Sequence, residues 1–499
     1  MRIVPSAHWR LRLGGFALAI FTLLFSTLGA AAQVPLALVR VSTDPYTNTS
    51  SMHQTEVEPD TFSYGTTIVS AFQVGRFSDG GSSNIGWATS TDSGITWVNG
   101  FLPGITIYGT PPGPYQRVSD ASVAYDALHG VWMVVSLPLN GPGAGLNTVV
   151  NRSTNGGTAW LSPVTLVTQG GLDKTWIACD DSTISPYYGH CYAEWDNNSG
   201  GNIMQMTTST DGGLTWGGVQ TPAGSPSGLG GQPVVQPNGT VVVPYSANNS
   251  AIRSFVSTNG GTSWSGAATV SSVSTHGVAG NLRTSPLPSA EVDPGGRVYV
   301  AWQDCRFRAG CPSNDIVISS STDGLTWSAV TRIPIDAVSS TVDHFIPGLA
   351  VDQFKRDPIP RLALTYYYYP VAACSSATCQ LSVGFVSSLD GGATWTPPTP
   401  LAGPITLTWL PLTNQGYMVG DYISTSFSAD DRAHPVFAVA NAPSGSVFDS
   451  AMYTPVPGLF LRTVFPALSP LRPVRAGGDK PVFFAPSDRP LPMILPTAY

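Results

Sequence analysis

Ser90-Thr91-Asp92-Ser93-Gly94-Ile95-Thr96-Trp97 decides how the chain is read, because the pattern returns. Copies stand at Ser153–Trp160, Ser209–Trp216, Ser257–Trp264 and Ser388–Trp395, and Ser321–Trp327 is a copy one residue shorter. The Asp or Asn positions 92, 155, 211, 259, 323 and 390 are 63, 56, 48, 64 and 67 residues apart. A period of about 60 residues suits one four-stranded propeller blade with generous loops. Each position has a physical task. The Asp or Asn side chain accepts hydrogen bonds from N–H groups of its own turn. The Gly two residues on takes the positive φ that the fold-back needs. The Trp carries apolar area and is expected to wedge between neighbouring blades. These residues read as structural staples rather than catalysts.

The pattern Ser-x-Asp-x-Gly-x-Thr-Trp resembles the Asp-box, or BNR repeat, of the sialidase superfamily, and its six copies extend the resemblance over roughly residues 40–455. The resemblance implies a β-propeller with boxes between the third and fourth strands of blades, on the face opposite the active site. It also implies an arginine triad, a Tyr nucleophile paired with Glu, and an Asp acid/base. The family's Arg-Ile-Pro element lies ahead of the first box, whereas Arg332-Ile333-Pro334 here follows the fifth. Arg332 is therefore assigned to an outer strand. Arg117, Arg283 and Arg306 are the alternative guanidinium set.

Strand-like runs precede each box, starting with Thr67–Phe72 and Ser83–Ala88. After the last box come Tyr422–Ser426, Pro435–Ala440 and Ser450–Thr454, with no fourth. An unpaired edge is a liability. Ala37–Ser42 is a spare strand that can complete this last blade. The expected fold is an all-β propeller of seven blades, with six as the alternative, closed by the N-terminal strand.

The rest of the chain sets the context. Charged residues are only 11%, with a net charge of −7, against about 25% charged in an average soluble chain. The absence of a Lys/Arg cluster argues against nucleic acid as a partner. Arg2, Arg10 and Arg12, then an apolar Gly14–Leu28, then Ala30-Ala31-Ala32, have the order of a secretory signal peptide. A membrane anchor is the alternative for that stretch, and no later segment is apolar and long enough to span a bilayer. Residues 1–32 are thus expected to be signal peptide, 33–455 the propeller and 456–499 a Pro-rich strap or tail, in a secreted or extracytoplasmic protein. The six cysteines fall into close pairs, Cys179 with Cys191, Cys305 with Cys311 and Cys374 with Cys379. Local disulfides are the economical reading for an oxidising compartment.

Candidate chemistry is expected on the face away from the boxes. Charged residues recur at starts of inner strands: Asp120, Asp173-Lys174, Asp343-His344 and Gly420-Asp421-Tyr422. Carboxylates there can serve as acid and base for glycoside chemistry. Asp421, Asp173 and Asp343 are the catalytic candidates. Tyr422, Lys174, His344, Asp304, Arg306 and Asp120 are the substrate-binding candidates, with Asp304 and Arg306 beside a disulfide in one loop. Arg pairs carboxylates bidentately, so an acidic sugar suits them. No metal-ligand spacing, phosphate loop or nucleophile elbow is present, so neither metal nor cofactor is expected. The partner expected is a glycan or glycoconjugate; the sequence is silent on oligomeric state. Two readings stay open: a glycoside hydrolase for terminal or acidic sugars, and a non-catalytic glycan- or protein-binding propeller.

Overall fold

The computed structural model describes residues 37–355 and 359–461. The expected signal peptide and most of the expected tail lie outside them. Among the described residues, curled antiparallel sheets follow one another along the chain in an all-β, propeller-like arrangement, with only three short 3₁₀ turns. Glu56–Tyr64, Thr67–Arg76, Ser82–Ser90 and Val98–Phe101 pair in order. Arg117–Asp126, Val131–Leu139, Gly145–Ser153 and Val164–Cys179 do the same. The last of these continues into Cys191–Asn197 and Ile203–Ser209. Separate four-stranded sheets begin at Val234, Ser289 and Asp343. Among the described residues no helix is long and apolar enough to cross a membrane.

The spare N-terminal strand does what the sequence implied. Ala37–Arg40 pairs antiparallel with Val447–Val456, next to Arg432–Ser444 and Ser424–Phe427. Ser42 extends the junction: its hydroxyl donates to Glu56 at 3.1 Å and accepts from the Met452 N–H at 2.9 Å. Burial raises the Glu56 carboxyl to about 8, so it is held protonated at this seam. Deleting residues 37–42 is expected to lower the melting temperature of the whole domain in one transition. An unchanged thermal unfolding curve would show that this strand closes nothing. Leu459–Phe460 pairs with Arg432 and Ala433, so paired structure runs past the expected boundary at residue 455.

The repeats form the expected staples. In the first, Asp92 accepts from the Thr96 N–H at 2.8 Å and the Thr96 hydroxyl at 2.6 Å, while Gly94 has φ 77°. The Trp residues wedge between sheets. Trp160 packs with Trp87, Val69 and Trp132, and Trp264 with Tyr192 and Phe255. Boxes such as Ser90–Trp97 sit between the third and fourth strands. Burial opposes the charge on Asp323, yet the Thr326 and Leu325 N–H groups, with the Ser321 hydroxyl, together hold the carboxylate at about 2. Asp211 accepts from the Leu214 and Thr215 N–H groups, both at 3.0 Å. Asp211→Ala is expected to cost about 0.5–2 kcal/mol, as for lost cap bonds, with little effect on any activity. Chemical denaturation of the purified variant measures it.

The register fixes which strand ends face apart. Glu56 pairs with Val74 and Arg76 with Ser82, whereas Tyr64 pairs with Thr67 and Ile68 with Ser90. The box begins at Ser90, so it lies at the Tyr64 end. Glu58 lies toward the other end, six residues from Tyr64, about 20 Å along the strand.

The three disulfides are local, joining Cys179 to Cys191, Cys305 to Cys311 and Cys374 to Cys379. Cys179 and Cys191 are cross-strand neighbours, and the other two pairs brace loops. Three such bridges suggest an extracellular location.

Candidate functional site

A backbone device recurs at the starts of inner strands. The pairing register slips between Val57 and Asp60, between Ser119 and Ser122, beside Lys174, and between Phe345 and Pro347. At these bulges Glu58, Asp120, Lys174 and Ile346 have φ of 58°, 49°, 49° and 49°. Non-glycine residues pay a steric cost there, of order 1–3 kcal/mol each. A bulge re-aims a side chain out of the alternation of its strand. In the segment leading into the strand Ser424–Phe427, Gly420, at φ 140°, precedes Asp421. A Cβ on Gly420 would sit 2.8 Å from the Glu58 N, so only glycine lets the two segments meet.

The re-aimed side chains converge on the Lys174 ammonium. Its Nζ is 2.5 Å from Asp421 Oδ2, 3.4 Å from Glu58 Oε1 and 3.5 Å from Asp120 Oδ1. Arg283 forks onto Asp421, its Nε donating to Oδ1 at 2.7 Å and its Nη2 to Oδ2. The Asp421 N–H donates to Glu58 Oε1 at 3.2 Å. Gln73 donates to the other Glu58 oxygen and accepts from buried Arg76. Asp120 accepts from the Lys174 N–H at 3.1 Å. All four central side chains are buried, Lys174 at 6% and Glu58 at 1% exposure.

Burial and charge split the carboxylates. Burial alone would raise Asp421, but Arg283 and Lys174 hold it well below the usual carboxylate range. Burial raises Glu58, and the charges of Asp421 and Asp120 outweigh part of the Lys174 attraction. Burial also raises Asp120. Burial opposes the charge on Lys174, yet Asp120, Asp421 and Glu58 hold it well above the usual ammonium value. A small pocket opens beside this network, lined by Lys174, Trp176, Gly230, Gln232, Leu287 and Tyr422. Trp176 and Tyr422 meet edge to face at 4.9 Å. The Tyr422 hydroxyl donates to the Ala121 carbonyl at 3.2 Å, and burial holds its proton firmly, so it is not an activated nucleophile.

The sequence candidates divide. Asp421, Lys174, Asp120 and Tyr422 come together, and Asp173 stands next to them, half-buried, accepting from the Lys174 N–H at 3.1 Å. Asp343 and His344 go elsewhere. Asp343 accepts from the Asn314 N–H and side-chain amide at 2.7 and 2.8 Å. Burial lowers His344 to about 4, so it is neutral, with Nδ1 3.2 Å from the Asn314 carbonyl. Asp304 and Arg306 pair with each other, and Arg306 also donates to Ser271 at 2.9 Å. They brace their loop. The three arginines named as an alternative set do not join either: Arg117 pairs with Asp79, and only Arg283 reaches the network.

Asp315, Asp336 and His344 are close enough to hold a metal ion among the described residues. The guanidiniums of Arg308 and Arg332 already occupy those carboxylates. A cation there would meet two fixed positive charges, so the trio does not fit one.

Glu58, Gln73 and Arg76 were not singled out from the sequence. The signal available was Glu56-Val57-Glu58-Pro59-Asp60, acidic residues at a strand start like those at Asp120 and Asp421.

No protein-family model matches the sequence, and no curated protein matches it. Solved structures do. An ulvan lyase of a polysaccharide lyase family, bound to -[GlcA(1-4)Rha3S]-, is 11% identical over 84% of this chain and 96% of its own, with a TM-score of 0.50. A protein of unknown function from Dyadobacter fermentans is 16% identical over 71% of this chain and 99% of its own, at 0.45. The NanB sialidase from Streptococcus pneumoniae is 14% identical over 84% of this chain and 69% of its own, at 0.41. Identities this low show likeness of fold alone.

Proposed function

We propose that the chain is an extracytoplasmic, seven-bladed, sialidase-like propeller that acts on acidic glycans as a glycoside hydrolase, with residues 33–455 forming the propeller. The observation that carries the reading is the convergence of Glu58, Asp120 and Lys174 from separate strands, all on strained bulges, with Asp421 from the segment ahead of Ser424–Phe427. Strain kept at one strand end in several sheets is the mark of a site rather than of a core. The names of the ulvan lyase and the sialidase support a glycan as the partner.

Glu58 and Asp421 share one ammonium at 3.4 and 2.5 Å, so their oxygens lie within about 6 Å. One is raised and the other lowered. Paired carboxylates pushed apart in this way divide the roles of acid and anion. Glu58 is the proton donor to the departing glycosidic oxygen. Asp421 is too weak a base to take a proton and instead orients Arg283 and Lys174, which receive the acidic group of the sugar. Half-buried Asp173 faces water and is the base. Trp176 supplies an apolar wall for the ring.

A specific observation favours a second reading, a non-catalytic glycan-binding propeller: the network members neutralise one another and are nearly inaccessible. Incubation with terminal-sugar and uronate-containing glycans decides between them. New reducing ends support the hydrolase. Retention on an immobilised glycan without turnover supports binding, and unsaturated products would replace hydrolysis with elimination.

A further inference from the structure

Arg283 reaches Asp421 from the connection 273–288, which belongs to no strand and has one short 3₁₀ turn, Ala279–Asn281. A long side chain on such a segment is held only as well as its backbone. Two loops hold that backbone, and each is closed by a disulfide, Cys305–Cys311 and Cys374–Cys379.

The first loop grips the start of the connection. The Cys305 N–H donates to the Ser274 carbonyl at 2.7 Å, and the Ser274 N–H donates to Asp304 at 3.2 Å. His276 Nδ1 lies 3.1 Å from the Cys311 carbonyl. Just past the loop, the Asn314 side-chain amide donates to the His276 carbonyl at 2.9 Å. The second loop backs the turn. Gly280 has φ 74°, and a Cβ on it would stand 2.8 Å from Cys379 Sγ and 2.6 Å from Leu407 Cδ2. The Tyr369 hydroxyl donates to the Ala279 carbonyl at 3.4 Å. On the other side stands the hairpin of Leu412–Thr413 and Gly416–Tyr417. The Arg283 N–H donates to the Tyr417 carbonyl at 2.8 Å, and a Cβ on Gly416 would collide with the Asn281 carbonyl oxygen. The turn is wedged between the hairpin and the Cys374–Cys379 loop, three residues ahead of the guanidinium that forks onto Asp421.

The two bridges span sequence separations of only 6 and 5. Loop-closure stabilisation grows with loop length, so bridges this short add least to global stability. Fixing a local shape is what remains for them to do. The third bridge has a different place. Cys191 pairs with Ser209, where a box begins, so Cys179–Cys191 lies on the face away from Arg283.

We propose that the Cys305–Cys311 and Cys374–Cys379 loops form a clamp that positions Arg283 on Asp421. Opening either bridge then weakens the hold on an acidic sugar without touching proton transfer. That consequence rests on the reading of Arg283 as a receiver of the acidic group; the clamp itself does not.

Amide hydrogen exchange of the full chain, followed by mass spectrometry, tests this. Residues 279–283 are expected to be protected in the native protein. Cys374→Ser with Cys379→Ser, and separately Cys305→Ser with Cys311→Ser, are each expected to speed exchange there by roughly tenfold or more, with the melting temperature little changed. Cys179→Ser with Cys191→Ser is expected to leave it unchanged. Gly280→Ala pushes the turn off Cys379 with every bridge intact, and is expected to loosen the same residues. On a uronate-containing glycan the clamp variants are expected to raise KM and retain kcat. Unprotected 279–283 in the native protein overturns the proposal, even if the variants fail to fold. So does a folded clamp variant with native exchange, equal loosening in the Cys179–Cys191 variant, or a fall in kcat with KM unchanged. The exchange readout needs no glycan, so absence of turnover counts against the hydrolase reading and not against the clamp.

Discussion

Lys174→Met is expected to destabilise the protein by about 3–5 kcal/mol, the cost of removing one partner from a buried ionic network. Glu58, Asp120 and Asp421 all face this one ammonium, at 3.4, 3.5 and 2.5 Å. Methionine keeps an unbranched side chain, one atom shorter, without the charge. The deficit also carries a sign in pH. The ammonium stabilises carboxylates that are ionised, so its loss matters most where they are charged. For Asp421, whose folded value is depressed, the stabilisation is present above its unfolded value and lost as pH falls through the folded one. That window lies below about pH 4, so Glu58 and Asp120 carry the dependence above it. Burial raises both and Lys174 opposes the rise, so without the ammonium they are relieved by protonation in acid. The variant is therefore expected to fall further behind the native chain at pH 8 than at pH 4. Urea unfolding at both values measures this. Equal deficits would mean that Lys174 acts by packing. Lys174→Arg retains the charge and is expected to recover part of the loss.

Glu58→Gln is expected to lower turnover of the glycan by about 10²–10⁴-fold with the fold intact. The amide oxygen can still accept from Lys174 and the Asp421 N–H, and only the bond donated by Gln73 is lost. What it cannot do is release a proton. Glu58 is raised by burial, so the acid limb of the pH–rate profile should not carry it; the alkaline limb should. Loss of that alkaline limb in residual Glu58→Gln activity is the signature of a proton donor. Undiminished turnover removes Glu58 from the chemistry. Asp421→Asn is expected to act differently, raising KM through Arg283 and Lys174 rather than erasing a pH limb.

The repeats were legible because the chemistry of a tight turn is local: Asp92, Gly94 and Thr96 satisfy one another within a few residues. The N-terminal closing strand was legible by counting strands. Asp120, Lys174 and Asp421 were legible as charges at strand starts. Glu58 was not, because Glu56–Tyr64 carries three carboxylates on buried positions and lacks the apolar run that marks an inner strand. Its burial is made possible by Lys174 and Gln73, which arrive from other strands. Arg283 sits in a connecting segment, and nothing local says that it crosses to Asp421. Asp343 and His344 had the same sequence position as the network members but joined Asn314 and Asp336, because the neighbouring loop supplies Arg308. Position along a strand is local information; the partner across the funnel is not.

The seam between Ala37–Arg40 and Val447–Val456 sets an order of events in time. Arg40 and its ion-pair partner Asp449 are 409 residues apart in sequence. The first described strand to be synthesised therefore waits until nearly the last one exists. Loop closure over that length is a slow, entropically costly step. Until then the edge of Val447–Val456 is open, and so is the chain's own beginning. A chain that emerges from a ribosome or a membrane pore in this state cannot lock early. Completion of this sheet only after nearly the whole described chain exists is built into which two strands meet.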